Sequence, residues 1–333
     1  MPGRRASRKL PTWLATLMTL CLLASSAAGQ TFPSGIVRII VPYAAGGIAD
    51  ALARVTGQRV QDAIGHPVIV ENRPGASSII GMQACANAAP DGYTVCLTVA
   101  DSLSYNPQVF AKLPYDPEKS FVPVMMLALT NNLLVAHIDA PFGDYKGMIA
   151  YAKANPGKLN WGTWGAATLP DLYRLWITAH EQVNITGIPY KGGAAQANPA
   201  VIKGEVDVTY MGFGTASPQI EARKIKPIVA IGIRRSHFMP ELSALGEEGS
   251  DPGLQGYFGL FAPAKTPRAI VERLNVEFTK AIASPQVQTF YKNTTLTAEP
   301  NTPDQFAAFV KADREAASTA FKSIGITPQD VPQ

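Results

Sequence analysis

The stretch from Ile36 to Val55 constrains this chain most. Ile36 to Val41 is a short run rich in β-branched residues, the signature of a buried strand. Pro42 follows, which cannot donate to a sheet ladder, and then the turn residues Gly46 and Gly47. Beyond the glycines, Ile48, Leu52 and Val55 recur at the spacing of one helix face. The pattern predicts a strand, a tight loop and a helix packed on a sheet. A helix that begins at two glycines presents backbone N–H groups and the positive end of its dipole, which suits a carboxylate or phosphate. The plainer reading is a scaffold turn that any α/β protein needs.

The first 29 residues read as a cleaved signal peptide. Arg4, Arg5, Arg8 and Lys9 form a basic start, an apolar segment runs from Leu10 to Ala24, and Ser26-Ala27-Ala28 is a small-residue cleavage site. The mature chain is expected to start at Gly29 or Gln30. The apolar segment is shorter than the roughly 20 residues a spanning helix needs. These features predict export to the periplasm. Leu20 before Cys21 is too large for a lipoprotein signal, so no lipid anchor is expected. Cleavage also changes the electrostatics: the net charge of +4 comes from those four residues, and without them 25 basic residues face 25 acidic ones. No basic block then remains to suggest nucleic acid as a partner.

Roughly 300 mature residues exceed what one hydrophobic core supports, which predicts two domains. Cys85 and Cys96 remain in an oxidising compartment, on either side of the turn Pro90-Asp91-Gly92. A disulfide between them is expected to add about 2 to 3 kcal/mol; two buried free thiols are the alternative.

Strand and helix patterns alternate along the chain. Strands are predicted at Val68 to Val70 and Thr94 to Val99, with a helix from Ser77 to Ala88 between them, and such alternation implies a mostly parallel sheet. The proline-rich stretch from Leu113 to Pro123 approaches a domain crossing. A second series follows: a helix from Asp144 to Ala154, a strand from Lys158 to Trp161, the loop Gly162 to Ala167, and a helix from Leu169 to His180. Thr168 and Asp171 resemble a short capping box, with Pro170 in the first turn. Further strands are predicted at Ile185 to Pro189, Val206 to Met211 and Ile225 to Ile231, and a helix from Ala194 to Lys203. The C-terminal part, with one strand from Tyr257 to Phe261 and helices from Pro267 to Ala283 and Asp304 to Phe321, has too few strands to stand alone and is expected to rejoin the first sheet. This gives lobe 1 as 30–130 plus 252–333 and lobe 2 as 131–251.

Signals of catalysis are scarce. The four histidines, His66, His137, His180 and His237, are scattered. None sits at metal-ligand spacing, and there is no C-x-x-C pair, nucleophile elbow or phosphate loop. The reading is therefore of a non-enzyme without metal or cofactor. What remains is two halves, each with a strand-loop-helix turn able to face an anion. Two-domain α/β proteins hold ligands between their lobes and close on a hinge. For an exported chain this predicts a periplasmic binding protein.

Seven segments then carry a family likeness: V-P-Y-A-A-G-G-I-A-D (41–50), V-E-N-R-P-G-A (70–76), A-A-P-D-G-Y-T (88–94), N-P-Q-V-F-A-K-L-P-Y-D-P (106–117), P-Y-K-G-G-A (189–194), G-E-V-D-V (204–208) and G-L-F-A-P-A-K-T-P (259–267). In this order they resemble the Bug (Bordetella uptake gene) family, the substrate-binding components of tripartite tricarboxylate transporters. The resemblance implies a type II periplasmic binding fold, with two α/β lobes, two chain crossings and a small organic carboxylate in the cleft. It also implies transient docking on membrane transporter subunits, and a monomer is expected.

On the same resemblance, the first-strand loop, here Tyr43, Ala44, Ala45, Gly46 and Gly47, holds the carboxylate partly through water. The opposing loop commonly reads S-A-G-N-G-T-S-S-H in the family. Here Thr163 stands for the serine, Gly165 lies within the loop and Thr168 keeps a hydroxyl. Trp164 replaces a small residue, Ala166 and Ala167 replace Asn-Gly, and Leu169-Pro170-Asp171 replace Ser-Ser-His. The lost donors and the added tryptophan favour a ligand with one carboxylate and an apolar or aromatic body over a citrate-like one. Trp164 pointing away to fill a gap in its lobe is the alternative. Asp101 and Ser102, in the loop after the third strand, are further candidates, with Asp101 either meeting an amino or hydroxyl group or capping its own turn. Arg73 is read as structural, beside Glu71. Three roles stay open on sequence: a transport receptor, which leads, a periplasmic sensor and an exported enzyme.

Overall fold

The computed structural model describes residues 32–166, 168–190, 192–298, 300–325, 328, 330 and 331. The expected signal peptide and Ala167 fall outside them.

The opening unit folds as its pattern predicts. β1 (Val37–Val41) is buried on both faces except at Arg38, and α1 (Ile48–Ile64) follows the glycines. The buried face of α1 is Ala49, Leu52, Ala53, Thr56 and Val60, whereas Ile48 is exposed. Small residues make up much of this face, so it was masked by the larger ones. β2 (Val68–Asn72) pairs parallel to β1, and α2 (Ile79–Ala86) starts two residues later than expected. β3 (Thr94–Val99) pairs parallel to β1 on its other side. Thus Ile39 is opposite Val70 on one side and Val95 on the other.

After β3 comes the main local surprise. The expected loop at Asp101 and Ser102 is a π-helical turn over Asp101–Tyr105, followed by the short α3 (Asn106–Val109). β4 (Phe121–Leu129) then ends the first passage through this lobe. The chain crosses at Thr130 and Asn131 and enters the second sheet as β5 (Asn132–His137). There follow α4 (Tyr145–Ala154), β6 (Leu159–Thr163), α5 (Leu169–His180), β7 (Ile185–Pro189), α6 (Ala194–Ile202), β8 (Val208–Gly212), α7 (Phe213–Glu221) and β9 (Ile225–Ala230). The chain crosses back ahead of β10 (Tyr257–Pro263), and α8 (Arg268–Ile282), α9 (Pro285–Thr294) and α10 (Pro303–Ser323) complete it. Sequence patterning misses α7, which carries Gly214 and Pro218, and α9, most of which is polar.

The two five-stranded sheets run β2-β1-β3-β10-β4 and β7-β6-β8-β5-β9. Both are mixed, and the expectation of a mostly parallel sheet needs correction for a specific reason. β5 and β10 are the first strands after the two crossings, and each enters its sheet antiparallel to both neighbours. The C-terminal strand does rejoin the first sheet, between β3 and β4.

The crossings are tied together. Thr130 N donates to Gly256 O at 2.9 Å, and a Cβ on Gly256 would overlap the Thr130 hydroxyl, so glycine is required there. Tyr105 Oη of the first lobe donates to Gln255 O at 3.2 Å, and Tyr173 Oη of the second donates to Leu254 O at 2.8 Å. One apolar cluster accordingly runs through both halves, from Cys85, Cys96 and Phe306 to Trp161, Tyr173 and Tyr210.

Cys85 at the end of α2 and Cys96 in β3 are joined by a disulfide, with Cα atoms 6.1 Å apart. Both are fully buried and fasten α2 to the sheet. Replacing both with alanine is expected to lower stability by about 2 to 3 kcal/mol, measured as a reduced urea midpoint.

Candidate functional site

A cavity of about 300 Å³ opens where the loops after β1, β3 and β6 meet. These are the carboxyl ends of parallel strands, where open α/β sheets leave a crevice. Lobe 1 contributes Pro42, Tyr43, Ala44, Pro74, Gly75, Ser77, Ser78, Asp101 and Asn106, and the opposite side is Trp164, Ala166 and Thr168.

The first loop is held rigidly. Gly46 N donates to Asp50 Oδ2 at 3.0 Å, so this amide serves its own helix. Arg54 Nε binds the same oxygen at 3.1 Å and its Nη2 reaches Asn72 Oδ1, also at 3.1 Å. Asn72 Nδ2 in turn donates to Tyr43 O at 3.1 Å. The Arg54 hydrogen bond, aided by the Gly46 amide, keeps the Asp50 carboxyl below its ordinary range against the effect of burial. Gly81 lets α2 approach: a Cβ there would lie 2.6 Å from Pro42 Cβ.

The Tyr43 hydroxyl turns inward. It accepts from Val99 N at 3.4 Å and lies 3.3 Å from Ser102 Oγ and 3.4 Å from Thr98 Oγ1. Burial, and then the Asp101 charge, push its pKa up to about 12, so it stays protonated. Ser102 Oγ is also 2.7 Å from Ser78 Oγ and 2.5 Å from Thr98 Oγ1. These hydroxyls brace the cavity wall from behind.

The wall itself includes a turn with consecutive left-handed residues, Ala76, Ser77 and Ser78, at φ of 46°, 53° and 74°. Such backbone persists only where its surroundings hold it. Asn106 Nδ2 does so by donating to Ser77 O at 2.8 Å. Asn106 is 1% exposed and its Oδ1 has no hydrogen-bond partner among the described residues.

On the opposite side, Trp164 packs edge-on against Tyr210, with ring centroids 5.6 Å apart and planes at 90°. Thr168 Oγ1 donates to Gly165 O at 2.7 Å and closes the loop. The expected capping box is absent here, because that hydroxyl is spent on Gly165 and Asp171 pairs with Arg174 at 2.8 and 3.0 Å. Asp171 therefore carries no free charge toward the cleft. The last helix does have a capping box, Thr302 with Gln305.

Of the residues singled out on sequence, Tyr43, Ala44, Asp101, Trp164, Ala166 and Thr168 share the cavity lining. Ala45, Gly46 and Gly47 are exposed and lie outside that lining, as does Gly165 in its turn. Ser102 is fully buried behind the wall, and Thr163, 2% exposed, ends β6 inside the lobe. Arg73 pairs with Glu71 at 2.7 Å. Sequence reading named no lining role for Pro74, Gly75, Ser77, Ser78 and Asn106. The signal was the hydroxyl pair after Pro74-Gly75, read as the start of a helix, and Asn106-Pro107, read as part of the family segment 106–117.

Among the described residues Asp101 is the charged one of the lining, and burial, then the charge of Asp313, push its carboxyl up to about 7. Asp313 on α10 is raised to about 6, chiefly by burial.

The fold and the interlobe cavity define a two-lobed solute-binding protein. Residues 52–326 match the tripartite tricarboxylate transporter family receptor. A UPF0065 protein of Bordetella pertussis is 32% identical over 95% of this chain and 98% of its own. The solved structure of the periplasmic binding protein BugD superposes at a TM-score of 0.76, with 28% identity over 90% of this chain and 100% of that one. Rpa4515 of R. palustris, solved with adipate, gives 0.80 and 26% over 90% and 100%. The chain belongs to the Bug family of tripartite tricarboxylate transporter receptors, with the type II periplasmic binding fold.

The raised carboxyls make stability depend on pH with a defined sign. Unfolded aspartates release their protons near pH 4, before the folded Asp313 and Asp101 do near 6 and 7. The folded state thus binds more protons in between, and stability falls as pH rises from about 4 to about 7. Melting temperatures across this window are expected to decline, and Asp313→Asn to flatten the decline by removing one group and relieving the other.

Proposed function

We propose that this protein is a periplasmic receptor that captures a small carboxylate with one carboxylate group and an apolar or aromatic body, and hands it to the membrane subunits of a tripartite transporter. The observation that carries the choice of ligand is the cavity lining: its charged residue among those described is an acid, Asp101, and a tryptophan, Trp164, forms part of the facing wall. A second carboxylate would meet Asp101 at a desolvated site, whereas an apolar body gains from burial against the indole. The ligand's carboxylate is held by backbone groups and hydroxyls around Pro42 to Ala44 and Ser77 to Ser78. Adipate bound to Rpa4515 supports a carboxylate in this cleft.

The lobes, 30–130 with 252–333 and 131–251, close around the ligand on the paired crossings. Tyr105 and Tyr173 grip neighbouring carbonyls of the return crossing, which suits a hinge. The chain is exported by its N-terminal segment, which is removed, and it works as a monomer that binds without turning its ligand over. The closed pair of lobes is the form the transporter receives.

A thermal-shift screen of the mature protein against aliphatic and aromatic mono-, di- and tricarboxylates tests the reading. A cognate ligand at 100 times its Kd adds about 2.7 kcal/mol of stability; stabilisation by citrate-like compounds alone would refute the single-carboxylate assignment. In a second measurement, Trp164→Ala should weaken an aromatic carboxylate about fivefold, in line with about 1 kcal/mol for a ring contact. Unchanged affinity would put the indole outside the binding surface.

A further inference from the structure

The carboxylate of Asp101 is unusual among the cavity walls. It borders the space between the lobes, yet its Oδ1 is out of solvent and has no hydrogen-bond partner among the described residues. A buried polar oxygen normally finds a donor, and a buried charge a counter-charge. Among the described residues, the titratable groups that act on Asp101 from the elements packed around it are Asp313 of α10, Tyr43 of the first loop, Tyr105 of the π-helical turn and Tyr210 of β8. None of them is a cation. Asn106 Oδ1, in the same lining, is a second acceptor without a donor. Asp101 Oδ1 and Asn106 Oδ1 thus leave two acceptors of the lining unmet among the described residues, while Trp164 Nε1 on the facing wall is a buried donor without a partner there.

We propose that the ligand carries, besides its carboxylate, a cationic amino nitrogen that docks on Asp101, with Asn106 Oδ1 as the neighbouring acceptor. Asp101 is then the residue that decides which carboxylates this receptor takes. The proposal rests on the receptor reading and narrows it to zwitterions. An ammonium satisfies the orphaned oxygen and neutralises the charge in one step, and the Trp164 ring in the same cavity also favours a cation. A neutral apolar tail leaves Asp101 desolvated and unpaired. A second carboxylate requires Asp101 to be protonated.

The pH dependence follows with a sign. Burial and Asp313 hold the free carboxyl up to about 7, while an ammonium requires the ionised form. The ligand ammonium itself stays charged well above neutrality. Affinity for an amino acid should thus be about tenfold weaker at pH 6 than at pH 8, and affinity for a dicarboxylate should change in the opposite direction.

The test is isothermal titration calorimetry on the mature protein with matched triplets: butanoate, 4-aminobutanoate and succinate; hexanoate, 6-aminohexanoate and adipate; 3-phenylpropanoate, phenylalanine and phenylsuccinate. In at least one triplet the amino member should bind tenfold or more tightly than its parent acid at pH 8 and lose that advantage at pH 6. Asp101→Asn should close the gap between the two. Should that variant not fold, the pH profiles of the wild-type protein carry the same decision. If parent acids or dicarboxylates bind as well as the amino members, or Asp101→Asn keeps the preference, the assignment of Asp101 is wrong while the receptor reading stands. If none of these nor any other carboxylate binds, the receptor reading falls and the Asp101 assignment with it.

Discussion

Everything in this structure depends on two extended segments that cross between the lobes and are joined by one backbone hydrogen bond, Thr130 N to Gly256 O. The bond brings the crossings so close that only glycine fits at 256. Because the chain leaves each sheet and re-enters the other here, β5 and β10 come in antiparallel and the parallel strands lie to one side. Their carboxyl ends then converge on the same space. The cavity is a consequence of this arrangement, and its walls belong to both lobes.

The same region shows how a small site is made stiff on one side and adjustable on the other. Asp50, Arg54 and Asn72 fix the loop after β1 through its backbone, while a chain of hydroxyls from Tyr43 through Ser102 to Ser78 supports the neighbouring wall. The Tyr105 and Tyr173 hydroxyls grip adjacent carbonyls of the return crossing. Hydrogen bonds to a carbonyl are directional but tolerate small rotations. A rigid jaw with such a pivot is suited to closing on a solute.

Much of the frame was legible in the sequence. The strand-loop-helix at 37–64, the helix at Leu169–His180 and the return of the C-terminal strand to the first sheet all follow from hydrophobic period and turn residues. The family likeness located both facing loops. What misled was local grammar applied without neighbours. Thr168 and Asp171 have the spacing of a cap, yet Gly165 O and Arg174 compete for them and win. Ser77 and Ser78 read as the start of a helix, and only the approach of Asn106 from 28 positions away makes them a wall.

The sequence by itself determined most of the segments and their order, the two-lobed class and the chemistry of each loop, because those depend on periodicity and on residues close together in the chain. The tertiary structure alone decided which of these groups meet. It buried Ser102 and Thr163, left Ala45 to Gly47 outside the lining and set Asp101 in the cavity wall with no counter-charge among the described residues. Desolvation and through-space charge act between side chains far apart in sequence, and no spacing rule encodes them.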